Sequence, residues 1–255
     1  MRPFAKRPPL RYHAGIAPLH GCKAMHTPHV STPLYPVFLS LTGMRCVVAG
    51  LGAVGRRKLA GLLACRPASV LALDIAAPAP EAAELLGDPR VRFEQRAFCR
   101  DDLRGCALVF AATGDSAENS RIAALCAECG VWCNSITTPD EGTFQVPAVA
   151  RQGMLAAALS TGGASPALSR RWKAELEQWL APRSRTAAFM GRLRPLVLAL
   201  GEETGHNTRL FRKLAASPLQ ALLEAGDTTA CRRLLRAELP PALHDHIAEL
   251  LDDLP

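Results

Sequence analysis

The first 73 residues of this 255-residue chain contain no aspartate or glutamate, yet they hold ten of its thirty Lys and Arg. Residues 74–181 reverse the balance with ten basic and fourteen acidic side chains, and residues 182–255 carry ten and nine. The formal net charge of +7 is therefore front-loaded rather than gathered on one binding face. Aromatic residues make up only 5% of the chain, no basic helix interleaves with them, and no DNA- or RNA-binding motif occurs. Nucleic acid is excluded as a partner on these grounds. No window approaches the ~18 consecutive apolar residues of a membrane span, so no membrane association is expected. Internal repeats are absent. Nine cysteines, an odd number scattered through helix-like and strand-like stretches, do not make a secreted disulfide framework and fit a reducing cytoplasm. Charged residues at 21% and a mean hydropathy of +0.08 describe a soluble globular protein. Its length suits one large domain, or a domain of ordinary size plus a smaller one.

Residues 1–34 are rich in Pro, His and Arg and show no periodicity. They read as a disordered tail, or as translation from a start codon upstream of the real one. His13, Pro18 and His20 break any secretory apolar core, while the lack of acids is shared with organellar transit peptides. His20, Cys22, His26 and His29 lack the tight spacing of a metal site. From Tyr35 onward, strands are predicted at 45–50, 69–74, 91–95, 107–112 and 131–134, with helices at 54–65, 79–86 and 117–129. This βαβ alternation predicts an α/β fold, a Rossmann-type parallel sheet with helices on both faces. Two β-like runs follow, Thr143 to Val149 and Leu155 to Thr161, and then an amphipathic helix over 166–180. The last 75 residues read as all helix: 185–200, 206–215, 218–225, 228–239 and 241–251.

Gly50-Leu51-Gly52-Ala53-Val54-Gly55 directly follows the apolar run Cys46-Val47-Val48-Ala49. A buried strand turning on glycines into a helix brings unpaired N–H groups and a positive dipole end to a pyrophosphate. Asp74 ends the next apolar run, 19 residues after Gly55, where an acid accepts from adenosine ribose hydroxyls. That acid favours NAD over NADP, because it repels a 2′-phosphate.

Ala111-Ala112-Thr113-Gly114-Asp115 forms a small-residue loop after the fourth strand, and Asn119 opens the next helix. Thr113 sits where a cofactor passes close to backbone, and Asn119 either anchors the loop or contacts the cofactor. Asp115 is either a site carboxylate or a helix cap. Later come Cys133-Asn134-Ser135-Ile136-Thr137-Thr138-Pro139-Asp140, then Phe144 with Pro147, and Ser160-Thr161-Gly162-Gly163-Ala164-Ser165-Pro166 before a helix.

In the order and spacing of these pieces, with Tyr35-Pro36-Val37-Phe38-Leu39 and the stretch Gly50 to Lys58, residues 35–180 resemble a known family. It is the precorrin-2 dehydrogenase and sirohydrochlorin ferrochelatase module of siroheme synthesis. The resemblance implies a homodimer that oxidises precorrin-2 to sirohydrochlorin with NAD⁺ and often inserts Fe²⁺. It implies an NAD-binding domain over 35–148, a small α+β dimerisation segment over 149–181 and a helical domain over 182–255 that covers the cleft. The substrate is an anionic tetrapyrrole with eight carboxylates, so the cleft needs cations. Arg170, Arg171, Arg192 and Arg194, with Arg151 and Lys173, lie in the segments that would form it. Asn134, Thr161, Gly162 and Gly163 fall on the family's substrate-side motifs.

The sequence departs from the family at two positions, the second conservatively. Thr137 stands where members carry an aspartate held to serve both dehydrogenation and chelation, and Thr161 stands where they tend to have serine. A threonine hydroxyl is no base near neutral pH. Asp140, three residues later, and Asp115 are the nearby carboxylates to which the role falls, and chelation is the activity put in question. A catalytically impaired relative that binds NAD or tetrapyrrole as a sensor or carrier is the alternative. Cys126, Cys129 and Cys133 read as small hydrophobes rather than metal ligands. His206, His244 and His246 read as surface or capping residues.

Overall fold

A computed structural model describes residues 34–254. Its centre is set by β1 (Arg45–Ala49), whose Cys46, Val47 and Val48 are wholly buried. A strand apolar on both faces can only lie inside a covered parallel sheet. β2 (Ser69–Asp74), β3 (Val91–Gln95), β4 (Cys106–Ala111) and β5 (Trp132–Ser135) complete that sheet. All pairings are parallel and the order is β3-β2-β1-β4-β5. The Rossmann-type sheet expected from the alternation is the sheet observed. β3 is an edge strand and carries Arg92 and Glu94, charges that discourage further pairing.

Helix α1 (Ala53–Ala64) and the single turn α2 (Ala83–Leu86) cover one face, where Leu59 and Leu62 meet Cys46, Val48, Val70 and Phe110. Helix α3 (Ser116–Cys129) covers the other, setting Ile122, Ala123 and Cys126 against Val47, Val109 and Cys133. The helix expected over 79–86 is in fact a 3₁₀ turn, Pro80–Ala82, followed by one α-turn. A proline and a short apolar stretch support no longer element.

No α-helix joins β3 to β4. A 3₁₀ turn, Arg100–Leu103, does so instead, burying Phe98 and Leu103 against the sheet, and ion pairs hold it beside them. The Arg96 guanidinium donates to both carboxylate oxygens of Asp102 at 2.7 and 2.8 Å, and the Cys99 N–H donates to the same carboxylate at 2.9 Å. Arg45 Nη1 donates to the backbone carbonyls of Asp102 (2.6 Å) and Arg104 (3.0 Å). Burial alone raises the Asp102 carboxyl pKa, but the bonds from Arg96 and Cys99 hold it below the ordinary value.

Beyond the sheet lies an antiparallel hairpin, β6 (Ala148–Gln152) with β7 (Leu155–Leu159), against which α4 (Pro166–Leu180) packs. The run Thr143 to Val149 does not form the strand its composition suggests. Thr143 and Phe144 donate their N–H groups back to the Cys133 carbonyl at 2.8 and 3.4 Å, and Pro147 has none to give. Pairing therefore begins at Ala148. Helices α5 (Ser184–Ala199), α6 (Thr204–Ala216), α7 (Leu219–Glu224), α8 (Thr228–Glu238) and α9 (Ile247–Leu251) enclose Phe189, Leu193, Leu214, Leu219 and Leu235. The stretch from 241 is a 3₁₀ turn, Pro241–His246, before α9. A Cβ on Gly191 of α5 would stand 2.8 Å from the Met154 methyl, so the hairpin's turn is seated against that helix.

The Asp102 pair carries a pH signature. A carboxyl with a depressed native pKa adds stability above its unfolded value of about 3.9 and loses it as pH falls through the native one. Asp102→Asn is expected to cost about 2 kcal/mol at pH 7 in urea denaturation. The difference from the wild type should vanish as the medium is acidified through the native pKa.

Candidate functional site

The sheet order places a topological switch point between β1 and β4, and ligands of such sheets bind in the crevice beyond their carboxyl ends there. Two glycines make that crevice by sterics. Gly50 has φ +95°, and a Cβ on it would lie 2.3 Å from the Ala112 carbonyl oxygen; on Gly55 a Cβ would lie 1.8 Å from the Gly50 carbonyl oxygen. These positions admit glycine alone. Gly52 differs, because nothing stands within 4 Å of where its Cβ would be. Its missing side chain leaves room for a ligand rather than for packing.

Helix α1 starts at this opening with no capping side chain and no acid in its first turn. Arg56 N–H is the first to bond within the helix, to the Gly52 carbonyl at 3.0 Å, so the N–H groups of Ala53, Val54 and Gly55 precede the ladder. Arg56 and Arg57 follow at the positive end of the helix dipole, an order that favours an anion in front of it. Asp74 reaches the same turn: Leu51 N–H donates to its Oδ2 at 2.7 Å and Ala76 N–H to its Oδ1 at 2.9 Å. The carboxylate keeps lone pairs for ribose hydroxyls while it fixes the loop. Donor set and open space together fit a dinucleotide.

Beyond β4, Asn119 is wholly buried and its amide is fully engaged. Oδ1 accepts from Thr113 N–H (3.0 Å) and faces Thr113 Oγ1 (2.8 Å); Nδ2 donates to the Thr113 carbonyl (3.1 Å) and to Thr137 Oγ1 (3.2 Å). One amide thus ties the β4 loop to the β5 loop. Asp115 caps α3, its Oδ1 accepting from Ala117 N–H at 2.8 Å. Asp140 and Thr137 are exposed at the rim, Asp140 on the 3₁₀ turn Pro139–Glu141.

Glu141 escaped the sequence reading. Hydrogen bonds from Ser120 and from Thr138 Oγ1 (2.8 Å) depress its carboxyl pKa, and Thr138 Oγ1 also lies 2.8 Å from the Oγ of buried Ser135. The signal was present as Thr138-Pro139-Asp140-Glu141, the Thr-x-x-Glu spacing of a capped turn.

The residues read as substrate-binding are spread more widely. Asn134 Nδ2 donates to the Phe144 carbonyl at 3.0 Å. Thr161 Oγ1 lies 3.1 Å from Ser169 Oγ, and Gly162 and Gly163 form an exposed turn before α4. Arg170 is exposed, and Arg171 pairs with Glu175 at 2.9 Å. Arg192 donates to the Asp252 and Asp253 carbonyls, and Arg194 lies over the Phe211 ring at 5.9 Å. These last two brace the helical region. Among the described residues no hydrogen bond or ion pair links these four arginines to the crevice loops.

No group of three or more metal-ligating side chains occurs among the described residues. Cys126 and Cys133 are buried side by side; the Cys133 sulfur and burial push the Cys126 thiol above its ordinary range. Cys129 is exposed. His206 and His246 stand 4.0 and 3.9 Å from Glu202 and Glu249, and His244 bonds to the Leu239 carbonyl at 3.0 Å. The tail residues His20, Cys22, His26 and His29 lie outside the described residues.

Residues 37–148 match the family model described as "Putative NAD(P)-binding". The chain is 32% identical over 218 residues to the siroheme synthase of Azotobacter vinelandii strain DJ, covering 84% of this chain and 46% of that protein. It is 30% identical over 207 residues to that of Nitrosospira multiformis, covering 80% and 44%. The solved structure of SirC, a precorrin-2 dehydrogenase, aligns with a TM-score of 0.63 at 21% identity, covering 78% of this chain and 100% of that one. That likeness is one of fold. The chain spans less than half the length of these two siroheme synthases.

The two kinds of glycine should separate in experiment. Gly52→Ala is expected to keep stability within about 1 kcal/mol while weakening dinucleotide binding in calorimetry. Gly55→Ala, driven against backbone, should lose about 2 kcal/mol or more on thermal melting.

Proposed function

With residues 37–148 a domain of the NAD(P)-binding family, in a chain homologous to siroheme synthases over about four-fifths of its length, we propose that it is an NAD-dependent precorrin-2 dehydrogenase. The observation that carries the reading is the cradle at Gly52, open in front of the unpaired N–H groups of Ala53, Val54 and Gly55 and flanked by Asp74.

When bound, NAD⁺ supplies a hydride acceptor. The chain's own part is to orient, to hold charge and to take a proton. The α1 N-terminus receives the pyrophosphate, and Asp74 accepts from the ribose and disfavours a 2′-phosphate. Asn119 holds the Thr113 loop, which would border the nicotinamide half of a bound cofactor. Oxidation of precorrin-2 to sirohydrochlorin releases one hydride and one proton, so a base must stand at the rim. Thr137, whose hydroxyl accepts from Asn119, is not one, and Asp115 is spent on its helix cap. Asp140 is the carboxylate assigned to the proton, with Arg170 and Arg171 drawing the substrate's carboxylates. The same threonine sets the assignment at dehydrogenation rather than Fe²⁺ insertion. It also motivates the second reading, a sensor or carrier that binds NAD and tetrapyrrole without turnover.

The working unit is a homodimer on this proposal. A two-stranded hairpin and one helix bury little of their own, since Leu180 is the buried residue of α4. Leu168, Trp172 and Trp179 recur at helical spacing and are 39%, 39% and 54% exposed, an apolar stripe suited to its own copy. Among the described residues no helix is long and apolar enough to cross a membrane, and every cysteine is a free thiol. A reducing cytoplasm suits such a chain.

Anaerobic incubation with precorrin-2 and NAD⁺ should yield the sirohydrochlorin spectrum; NAD binding without conversion would select the sensor reading. Asp140→Asn should lower kcat by about tenfold or more, a general base's share, and Thr137→Ala by less. The reverse order would give the role to the threonine position. Trp179→Glu should convert the dimer to monomer in sedimentation velocity, and a wild type that sediments as a monomer would remove the dimer from the scheme.

A further inference from the structure

Lys58 lies on α1 one turn after Gly55, beside the buried stripe of Gly55, Leu59 and Leu62. Helical side chains lean toward the N-terminus of their helix, so this one leans back toward the glycine turn. Its Nζ stands 5.2 Å from the centre of the Phe110 ring, and the Phe144 ring meets Phe110 edge-on at 5.5 Å. The Phe144 carbonyl is held by Asn134 Nδ2. The ammonium is thereby fixed where α1, the end of β4 and the segment leading to the hairpin converge.

The side chain is half-buried, and among the described residues no carboxylate lies within ion-pair distance of it. The other lysines of the described chain are paired: Lys173 with Glu177 at 2.9 Å and Lys213 with Glu238 at 2.6 Å. Burial, with the Arg57 charge second, pulls the Lys58 pKa below the ordinary lysine value. A ring face returns only part of the lost hydration. An ammonium withdrawn from water without a counter-charge is costly, and an arriving anion relieves that cost.

We propose that Lys58 is a substrate-recognition residue whose ammonium receives one carboxylate of the tetrapyrrole at the inner wall of the cleft. The inference rests on the reading that the substrate is an anionic tetrapyrrole. The donors divide the labour: the α1 N–H groups converge on a phosphate, while Lys58 is a point charge one turn away on the aromatic side. On this assignment Lys58 adds a cation on the α1 side of the sheet, whereas Arg192 and Arg194 brace the helical region.

The test uses the full chain with two ligands, precorrin-2 and uroporphyrin I, a stable tetrapyrrole with eight carboxylates. Lys58→Met keeps the apolar stem and removes the charge. Uroporphyrin affinity, read by fluorescence quenching, should fall about tenfold and KM for precorrin-2 should rise by as much. kcat, NAD⁺ affinity and Tm should hold, and Lys58→Arg should recover most of the loss. Unchanged tetrapyrrole affinity in Lys58→Met overturns the proposal, as does an equal loss of NAD⁺ affinity, which would give the ammonium to a phosphate. Lys58→Gln takes the place of Lys58→Met if the methionine variant folds poorly. A wild type that binds uroporphyrin but leaves precorrin-2 unoxidised sinks the assigned reaction and leaves the Lys58 comparison standing. A wild type that binds no tetrapyrrole sinks both.

Discussion

The backbone of Gly50 passes so close to the Ala112 carbonyl that no side chain fits between them, and the rest of the crevice is arranged around that approach. Because β1 and β4 are neighbours, their two loops must part in opposite directions at this point. Gly55 then lets α1 descend directly onto the turn, and Asp74 clamps the Leu51 N–H from the next strand over. Three chain segments distant in sequence are locked by one steric constraint and one charge-assisted bond. The N–H groups left over at the start of α1 are consequently held in place before any ligand arrives, which lowers the ordering cost of binding.

On the other side of the switch point a neutral amide performs the equivalent task. Asn119 has four hydrogen-bonding opportunities and spends them on Thr113 and Thr137, so the β4 and β5 loops move as one body. A buried amide left half-satisfied would cost more than it returns, which makes this clamp all-or-none. The Ser135, Thr138, Glu141 and Ser120 network extends it outward. The loops at the rim are therefore built on a hydrogen-bonded floor, with Asp140 and Thr137 at the exposed margin.

Elsewhere the fold compensates for what the sheet lacks. Without a helix between β3 and β4, the Arg96–Asp102 pair and the Arg45 bonds close that end with charge. The hairpin gains support from Met154 seated on Gly191 and from α4, whose Leu168 and Trp172 stay partly exposed and whose Trp179 ring carries the Arg183 guanidinium at 4.1 Å.

Periodicity and glycine spacing sufficed to read the Rossmann sheet, its first helix and the dinucleotide turn, because these depend on local rules: an apolar run, a turn that tolerates no Cβ, an acid at the end of the next strand. The helical C-terminal region was legible for the same reason, to within a residue or two at most ends. Sequence spacing did not reveal how polar groups are shared. Asn119 and Asp115 looked alike as site candidates, and only the packed structure spends one on two loops and the other on a cap. Arg192 and Arg194 look like substrate cations until α5 turns them toward the C-terminal segment and Phe211. Lys58 had no role of its own in the stretch Gly50 to Lys58 until the sheet put Phe110 beneath it, with no carboxylate beside it among the described residues. The sequence by itself determined the backbone path around Gly50 to Gly55, since sterics are encoded residue by residue. Which charges and amides remain for a ligand was decided only in three dimensions, where burial and partners far apart in the chain set the cost of each.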